Sequence, residues 1–122
     1  MIRLALSALF LVMNANTVLA DWQLYKKDNN IIASVDYLSY ESFHHHPSVL
    51  VRWHYRTPSK GVGGIRIQFT ADCRKHQLFE IAAYPYDEGG KYLKPHKNYN
   101  SPIEYIIAPG SLNEATYKLL CH

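Results

Sequence analysis

Two stretches of the chain alternate between apolar and polar side chains, which is typical of a β-strand with one buried face. The alternation covers Ser48 to Arg56 and recurs from Ile65 to Cys73. Because successive side chains of a strand point to opposite faces, each stretch predicts a strand, and the second places Cys73 on the apolar face. The two apolar sets are Val49, Val51, Trp53 and Tyr55, and Ile65, Ile67, Phe69 and Ala71.

Shorter runs rich in β-branched and aromatic residues predict four more strands. These runs are Trp22–Tyr25, Ile31–Tyr40, Leu78–Tyr84 and Ile103–Ala108. Polar clusters between the runs predict turns at Lys26–Asn30, Thr57–Gly61 and Asp87–Gly90. After Pro85 closes its strand, the last of these turns would bring Lys91–His96 back alongside it.

The hydrophobic period changes from two to 3.6 after Pro109-Gly110, which predicts a short helix. Ser111 is a favourable N-cap, and Glu114 stands three residues later, as a capping box requires. The helix should begin at Leu112 and run for about two and a half turns. Its predicted apolar stripe is Leu112, Ala115, Thr116 and Leu119, with Cys121 near the last turn.

These elements together predict an α+β fold. We expect a single antiparallel sheet of about six strands in a meander, with one short C-terminal helix packed on one face. The helix should lie over the face that carries Ile65, Ile67 and Phe69, and should pack against it through Leu112, Ala115 and Leu119. A small closed barrel built from the same strands is the alternative.

The first 20 residues have the features of a secretory signal peptide. Arg3 precedes an apolar stretch from Leu4 to Met13, and Val18-Leu19-Ala20 suits signal peptidase. Since a membrane-spanning helix needs about 20 apolar residues, we expect export rather than anchoring. The predicted product is one soluble domain, residues 21–122, in the periplasm or at the cell surface. No cysteine precedes Cys73, so a lipid-carrying first residue is not expected.

Charge and cysteine content narrow the functional classes. The 13 basic and 10 acidic residues are interspersed and leave a net charge of +3, so we expect no nucleic-acid partner. The two cysteines, Cys73 and Cys121, predict one disulfide in an oxidising compartment. A thiol nucleophile or a metal ligand is the alternative for this pair.

Seven histidines, three of them consecutive, raise the question of a metal site. Imidazole nitrogen is a common ligand of zinc and copper, but His44, His45 and His46 point in different directions and would need a more distant ligand. The favoured interpretation is a solvated loop between two strands, ended by Pro47. Metal binding by His44–His46 in the periplasm is the alternative function.

The segment around the predicted Asp87–Gly90 hairpin is rich in tyrosine and lysine. Such residues in an exposed loop favour contact with a protein or a glycan. The predicted partner-binding residues are Tyr84, Tyr86, Lys91, Tyr92 and Lys94. The alternative is that these rings cover the sheet, since a small aromatic-rich β domain uses some of them in its core.

No motif of nucleophilic, paired-carboxylate or nucleotide chemistry is present. Ser39, Ser42, Ser59 and Ser111 stand in no G-x-S-x-G turn, and the glycines at 61, 63 and 64 precede a strand rather than a helix. We therefore expect a protein that is not an enzyme and needs no cofactor.

Several motifs resemble the surface-adhesin protein E-like family. The most specific are Ala71-Asp72-Cys73 and the segment from Ala108-Pro109-Gly110-Ser111 through Glu114 to Cys121. Weaker matches are Ser34-Val35-Asp36 and Val49-Leu50-Val51-Arg52-Trp53. The resemblance implies a small antiparallel sheet with a C-terminal helix, a Cys73–Cys121 disulfide and a role at the bacterial envelope. It also implies a non-enzymatic adhesin-like protein that binds host extracellular-matrix or serum proteins.

Overall fold

The computed structural model describes residues 20–93 and 97–122, so the predicted signal peptide lies outside the described residues except for Ala20. Within these residues, seven strands and one α-helix follow one another. The strands are β1 (Trp22–Lys27), β2 (Ile31–Asp36), β3 (Glu41–Phe43), β4 (His46–Ser59), β5 (Val62–Asp72), β6 (Gln77–Asp87) and β7 (Lys97–Tyr105), and the helix is α1 (Leu112–Leu120). A short 3₁₀ helix, Tyr37–Ser39, separates β2 from β3.

All strands belong to one antiparallel sheet, which confirms the predicted fold class. The order across the sheet is β1-β2-β4-β5-β6-β7, and the short β3 pairs with β4 beside β2. Among the described residues, the outermost strands β1 and β7 do not pair with each other, so the sheet is open and the barrel alternative is wrong. Apart from the insertion of β3, each strand lies next to its neighbour in sequence, as in a meander.

The turn between β4 and β5 is shorter than the sequence predicts, so β4 extends further along the chain. The predicted turn Thr57–Gly61 is wrong at its start, because β4 continues to Ser59, which pairs with Val62. Lys60 and Gly61 alone form the turn, with φ of 52° and 81°. A turn with positive φ at both central residues matches the right-handed twist of a hairpin, so a two-residue turn is sufficient.

The β6–β7 region differs from the prediction in three ways. β6 runs through Pro85 to Asp87, because the pairing with β7 ends at Ala83 and Pro85 therefore needs no ladder donor on that side. The described part of Lys91–His96 forms no strand but a single bridge, Tyr92 to Tyr86, and residues 94–96 lie outside the described residues. The last strand occupies Lys97–Tyr105 instead of Ile103–Ala108.

The helix begins and is capped as the sequence predicts, but the face it buries is different. The Ser111 hydroxyl accepts a hydrogen bond from the Glu114 N–H at 3.1 Å, and the Glu114 carboxylate accepts one from the Gly110 N–H at 2.9 Å. The buried residues are Leu112, Thr116, Tyr117 and Leu120, whereas Ala115 and Leu119 are only half-buried. The predicted stripe was therefore about one residue out of register.

The main core lies between α1 and one face of the sheet, which we call the helix face. Tyr117 and Leu120 of the helix join a buried cluster with Ile67 and Phe69 of β5, so the predicted sheet face is confirmed. The other members are Val35, Val49, Val51, Ala71 and Leu78. Burial of this many apolar side chains is the main source of stability in a chain of this size.

A chain of hydrogen bonds crosses this core from the sheet to the helix. Trp53 donates its indole N–H to the Tyr25 hydroxyl at 2.8 Å, and the Tyr25 and Thr116 hydroxyls lie 2.8 Å apart. Because the Thr116 hydroxyl donates to the Leu112 carbonyl at 2.9 Å, Tyr25 must be the donor to Thr116. Every polar atom in this buried series is thereby satisfied.

The predicted disulfide is confirmed. Cys73 follows β5, Cys121 follows α1, and their Cα atoms lie 5.5 Å apart. The bond fixes the C-terminal end of the helix to the end of a central strand. The Tyr117 hydroxyl donates to the Cys73 carbonyl at 3.3 Å and strengthens the same connection.

Candidate functional site

The face of the sheet opposite α1 carries the side chains that are most suited to binding. We call it the open face, because α1 packs on the other face and the described part of the chain contains no further α-helix. It is built from the polar half of each alternating strand. Its central members are Leu50, Arg52 and His54 of β4, Arg66 and Gln68 of β5, and Tyr84 and Tyr86 of β6.

Two arginines lie side by side at the centre of this face. Arg52 and Arg66 are direct cross-strand partners of β4 and β5. Both guanidinium groups lie over the Trp22 ring, with the Cζ atoms of Arg52 and Arg66 at 4.6 and 5.5 Å from its centroid. Cation–π contact of this kind stabilises a partly buried guanidinium by about 0.5–2 kcal/mol. We call Trp22, Arg52, Arg66, Tyr86 and Tyr92 the arginine cluster.

Arg66 is surrounded by aromatic rings rather than by carboxylates. Its Cζ atom lies 5.9 Å from the Tyr86 ring centroid and 5.2 Å from that of Tyr92, and its Nη1 donates to the Tyr92 hydroxyl at 2.6 Å. Its Nε is buried and finds no hydrogen-bond acceptor among the described residues. Within the same residues, no carboxylate forms an ion pair with Arg52 or Arg66.

Gly64 and Tyr86 complete one side of the cluster. A Cβ at Gly64 would overlap the Tyr86 hydroxyl and approach the Trp53 carbonyl oxygen, so the lack of a side chain lets Tyr86 lie flat across β5. The Tyr86 hydroxyl is 2.9 Å from His54 Nδ1, and the two rings are stacked. Burial raises the pKa of Tyr86 although the charges of Arg52 and Arg66 lower it, so the hydroxyl stays protonated at neutral pH.

A depression of about 430 Å³ adjoins the arginine cluster. Tyr92, which bonds Arg66, forms part of its lining, so the two features share a wall. Gln68 Nε2 donates to the Glu41 carboxylate at 3.4 Å across it. The lining residues are Leu38, Ser39, Tyr40, Glu41, Leu50, Gln68, Tyr84 and Tyr92. The volume is in the range of small-ligand sites, about 300–1,000 Å³.

One wall of the depression is the break between β2 and β3. The strand predicted over Ile31–Tyr40 ends at Asp36, whose carboxylate accepts a hydrogen bond from the Leu38 N–H at 3.0 Å and caps the 3₁₀ helix. Ser39 then fills the gap beside β4: its hydroxyl donates to the Asp36 carbonyl at 2.6 Å and accepts from the Leu50 N–H at 2.8 Å. Residues 37–39 thus interrupt the strand, and the Leu50 N–H still has a hydrogen-bond acceptor.

The residues predicted to bind a partner do not all lie at one site in the structure. Tyr84 and Tyr92 line the depression, and Tyr92 is 49% exposed. Tyr86 is 4% exposed and is a buried member of the arginine cluster, whereas Lys91 is exposed at the end of the Asp87–Gly90 turn. Lys94 lies outside the described residues.

Trp22, Arg52 and Arg66 were not among the predicted site residues. The alternation of β4 and β5 predicts that both arginines lie on the polar face, but not that they face each other. Their pairing became visible only with the register of the two strands.

The consecutive histidines occupy a hairpin turn between β3 and β4. His44 and His45 have φ of 50° and 69°, and Phe43 pairs with His46 as the strands resume. The loop interpretation therefore holds for His44 and His45, whereas Pro47 lies inside β4 rather than ending the loop. Across residues 20–93 and 97–122 no group of three or more His, Cys, Asp or Glu side chains is placed to hold a metal ion.

Two of the four serines considered for nucleophilic chemistry have structural partners. The Ser39 and Ser111 hydroxyls donate to backbone carbonyls. The Asp87 carboxylate accepts hydrogen bonds from the N–H groups of Gly89 and Lys91, each at 2.9 Å, and so organises its turn.

Two further observations concern the chain as a whole. None of the helices in the described part of the chain is long and apolar enough to cross a membrane. No family model matches the chain, and neither the curated proteins nor the solved structures contain a match to it.

Proposed function

We propose that this chain is an exported, non-enzymatic binding module of the bacterial envelope, adhesin-like, and that it contacts a protein partner through the open face. The observation that carries the proposal is the arginine cluster, in which two arginines without carboxylate partners among the described residues lie among a tryptophan and two tyrosines. Arg, Trp and Tyr are the residue types that dominate the binding energy of protein interfaces.

The form of the face also suits a protein ligand. A half-exposed tyrosine beside a shallow depression offers an apolar area and a hydroxyl at low entropic cost, and a partner side chain could enter the depression. The rigid sheet beneath these side chains holds them in place before binding, which lowers the entropic cost of association.

Export and the type of partner rest on other features. The Cys73–Cys121 disulfide supports an oxidising compartment, as expected after removal of a signal peptide. The choice of host extracellular-matrix or serum proteins rests on the resemblance to the surface-adhesin protein E-like family.

Binding to immobilised fibronectin, laminin, vitronectin and plasminogen tests the proposal. We expect saturable binding to at least one of them, and a loss of about tenfold or more in Tyr92→Ala. Ile103→Ala is the matched control, because Ile103 is exposed to a similar extent, 44% against 49%, but lies on β7. Its affinity should stay within about twofold of wild type.

Fractionation of the producing cells supplies the second part of the test. If the protein were wholly periplasmic and bound none of the four proteins, the adhesin-like function would be abandoned. Equal losses in Tyr92→Ala and Ile103→Ala would reject the open face as the contact surface.

A further inference from the structure

The arginine pair of the open face has an electrostatic arrangement that the fold alone does not require. Arg52 and Arg66 face each other across β4 and β5, where like charges in direct opposition destabilise a sheet. The aromatic rings around them favour cations but carry no opposite charge. No carboxylate of the described residues forms an ion pair with either arginine, so the positive charge of the pair is available to an anionic ligand.

We infer that Arg52 and Arg66 form a carboxylate-binding site that takes an acidic side chain of a polypeptide partner. This inference rests on the proposed function and specifies the chemistry of the ligand. A guanidinium presents five N–H donors in a planar fork that matches a carboxylate, and a charge-assisted bond of this type is about twice as strong as a neutral one.

The hydrogen-bonding state of the two side chains supports the site. Arg52 makes no hydrogen bond to any described residue and is held by its contact with the Trp22 ring. Arg66 uses Nη1 for Tyr92, while its buried Nε has no acceptor among the described residues. The Nη2 group of Arg66 also makes no hydrogen bond to a described residue, so the guanidinium has donors left for a carboxylate.

The surroundings favour an acidic polypeptide over a densely sulfated glycan. Glu41 lies on the rim of the adjoining depression and would repel a chain with closely spaced negative charges. The apolar part of the depression, formed by Leu38, Leu50 and the two tyrosines Tyr84 and Tyr92, suits an apolar side chain next to the acidic one. The expected ligand segment therefore has one or two carboxylates flanked by apolar or aromatic residues.

Calorimetric titration with a matched pair of peptides tests the site. The probes are N-acetylated, C-amidated pentapeptides of sequence LEYEL and LQYQL, which differ only in their carboxylates. We expect the exported protein, residues 21–122, to bind LEYEL at least about tenfold more tightly than LQYQL. In Arg52→Gln and in Arg66→Gln this preference should fall to about twofold or less.

Arg74→Gln is the control variant. It changes the net charge equally but lies at an exposed turn between β5 and β6, so it should keep the full preference for LEYEL. Thermal unfolding shows whether each variant is folded. The indole N–H resonance of Trp22 reports on the site in the wild-type protein without any substitution. This resonance should shift when LEYEL is added and should not shift with LQYQL.

Three results would overturn the inference. Equal affinity for LEYEL and LQYQL would show that the carboxylates are not recognised. An equal loss of the preference for LEYEL in Arg74→Gln would show that the preference depends only on net charge. Tighter binding of a heparin hexasaccharide than of LEYEL, lost in Arg52→Gln and Arg66→Gln, would assign the pair to sulfated glycans instead.

The inference and the proposed function can fail separately. If LEYEL binds through both arginines but no matrix or serum protein binds, the carboxylate site stands and the adhesin-like function falls. If a matrix protein binds equally well to wild type, Arg52→Gln and Arg66→Gln, the function stands and the carboxylate site falls.

Discussion

The surroundings of Tyr25 make the stability of the fold depend on pH in the alkaline range. It lies at the middle of the hydrogen-bond chain from Trp53 to Thr116, between the sheet and the helix. Burial raises the pKa of Tyr25 from 10.0 to about 12, against the lowering effect of its hydrogen bonds to Thr116 and Trp53. A buried phenolate here would lose its hydration and gain only two partners in return.

Stability should therefore fall with pH above the ordinary pKa of tyrosine. The folded-state pKa is the higher one, so the stabilisation is fully present below pH 10 and is lost as the pH rises toward about 12. Near pH 11 the loss from this one group is about 1.4 kcal/mol. Urea unfolding at a series of pH values measures it.

Tyr25→Phe is the comparison that isolates this residue. At pH 8 it should cost about 1–3 kcal/mol, because Trp53 loses an acceptor and Thr116 loses a donor. Between pH 9 and pH 11 the gap between wild type and variant should narrow. A gap that stays constant over this range would show that Tyr25 ionises equally easily in the folded and unfolded chains.

Among the elements, the break between β2 and β3 best shows where sequence patterns stop being informative. The strict alternation of β4 and β5 and the cap at Ser111 were sufficient to predict those elements, because they depend on neighbours along the chain. The end of β2 at Asp36 depends instead on bonds from Asp36 and Ser39, one of which reaches across to β4. The amino-acid sequence of Ile31–Tyr40 does not indicate this contact with β4.

The same limit explains the helix stripe and the candidate site. Which side of α1 is buried depends on how the helix lies over the sheet, and Tyr117 faces inward because it reaches the end of β5 at Cys73. The facing arginines required the register of β4 and β5. Local periodicity thus predicted the elements, and only tertiary contacts placed Arg52, Arg66 and Trp22 together.

Ser39→Ala tests the element-scale role of the break. It removes the acceptor of the Leu50 N–H and should cost about 1–3 kcal/mol of unfolding free energy. Hydrogen exchange of the Leu50 amide should also become faster than in wild type. Ser42→Ala on exposed β3 is the control and should change stability by no more than about 0.5 kcal/mol. Unchanged exchange at Leu50 would mean that water or another group replaces Ser39.

For the molecule as a whole, the disulfide joins parts of the fold that are far apart in sequence. It closes a loop with a sequence separation of 48 that contains β6, β7 and α1. In the chain-entropy model a loop of this length stabilises the folded state by about 4 kcal/mol. That is a large fraction of the usual stability of a small domain, about 5–15 kcal/mol.

Cys73→Ser and Cys121→Ser should therefore be equally harmful, each by about 4 kcal/mol in that model. The double variant should be little worse than either, because the same single bond is lost in all three. Denaturant unfolding of the four proteins measures this. A clearly additive loss would mean that the two sulfurs stabilise the fold through separate contacts.

The position of the disulfide also determines how the chain would respond to mechanical tension. Consider a chain that is pulled between its N-terminal end and a point after Cys121. The force passes from Cys121 to Cys73 through the disulfide and bypasses the segment between the two cysteines. β6, β7 and α1 would carry no extending load, and the force would enter the sheet at the end of the central strand β5. Extension would release only the roughly 50 residues from β1 to Cys73, about 180 Å of chain, or half of what the reduced protein would yield.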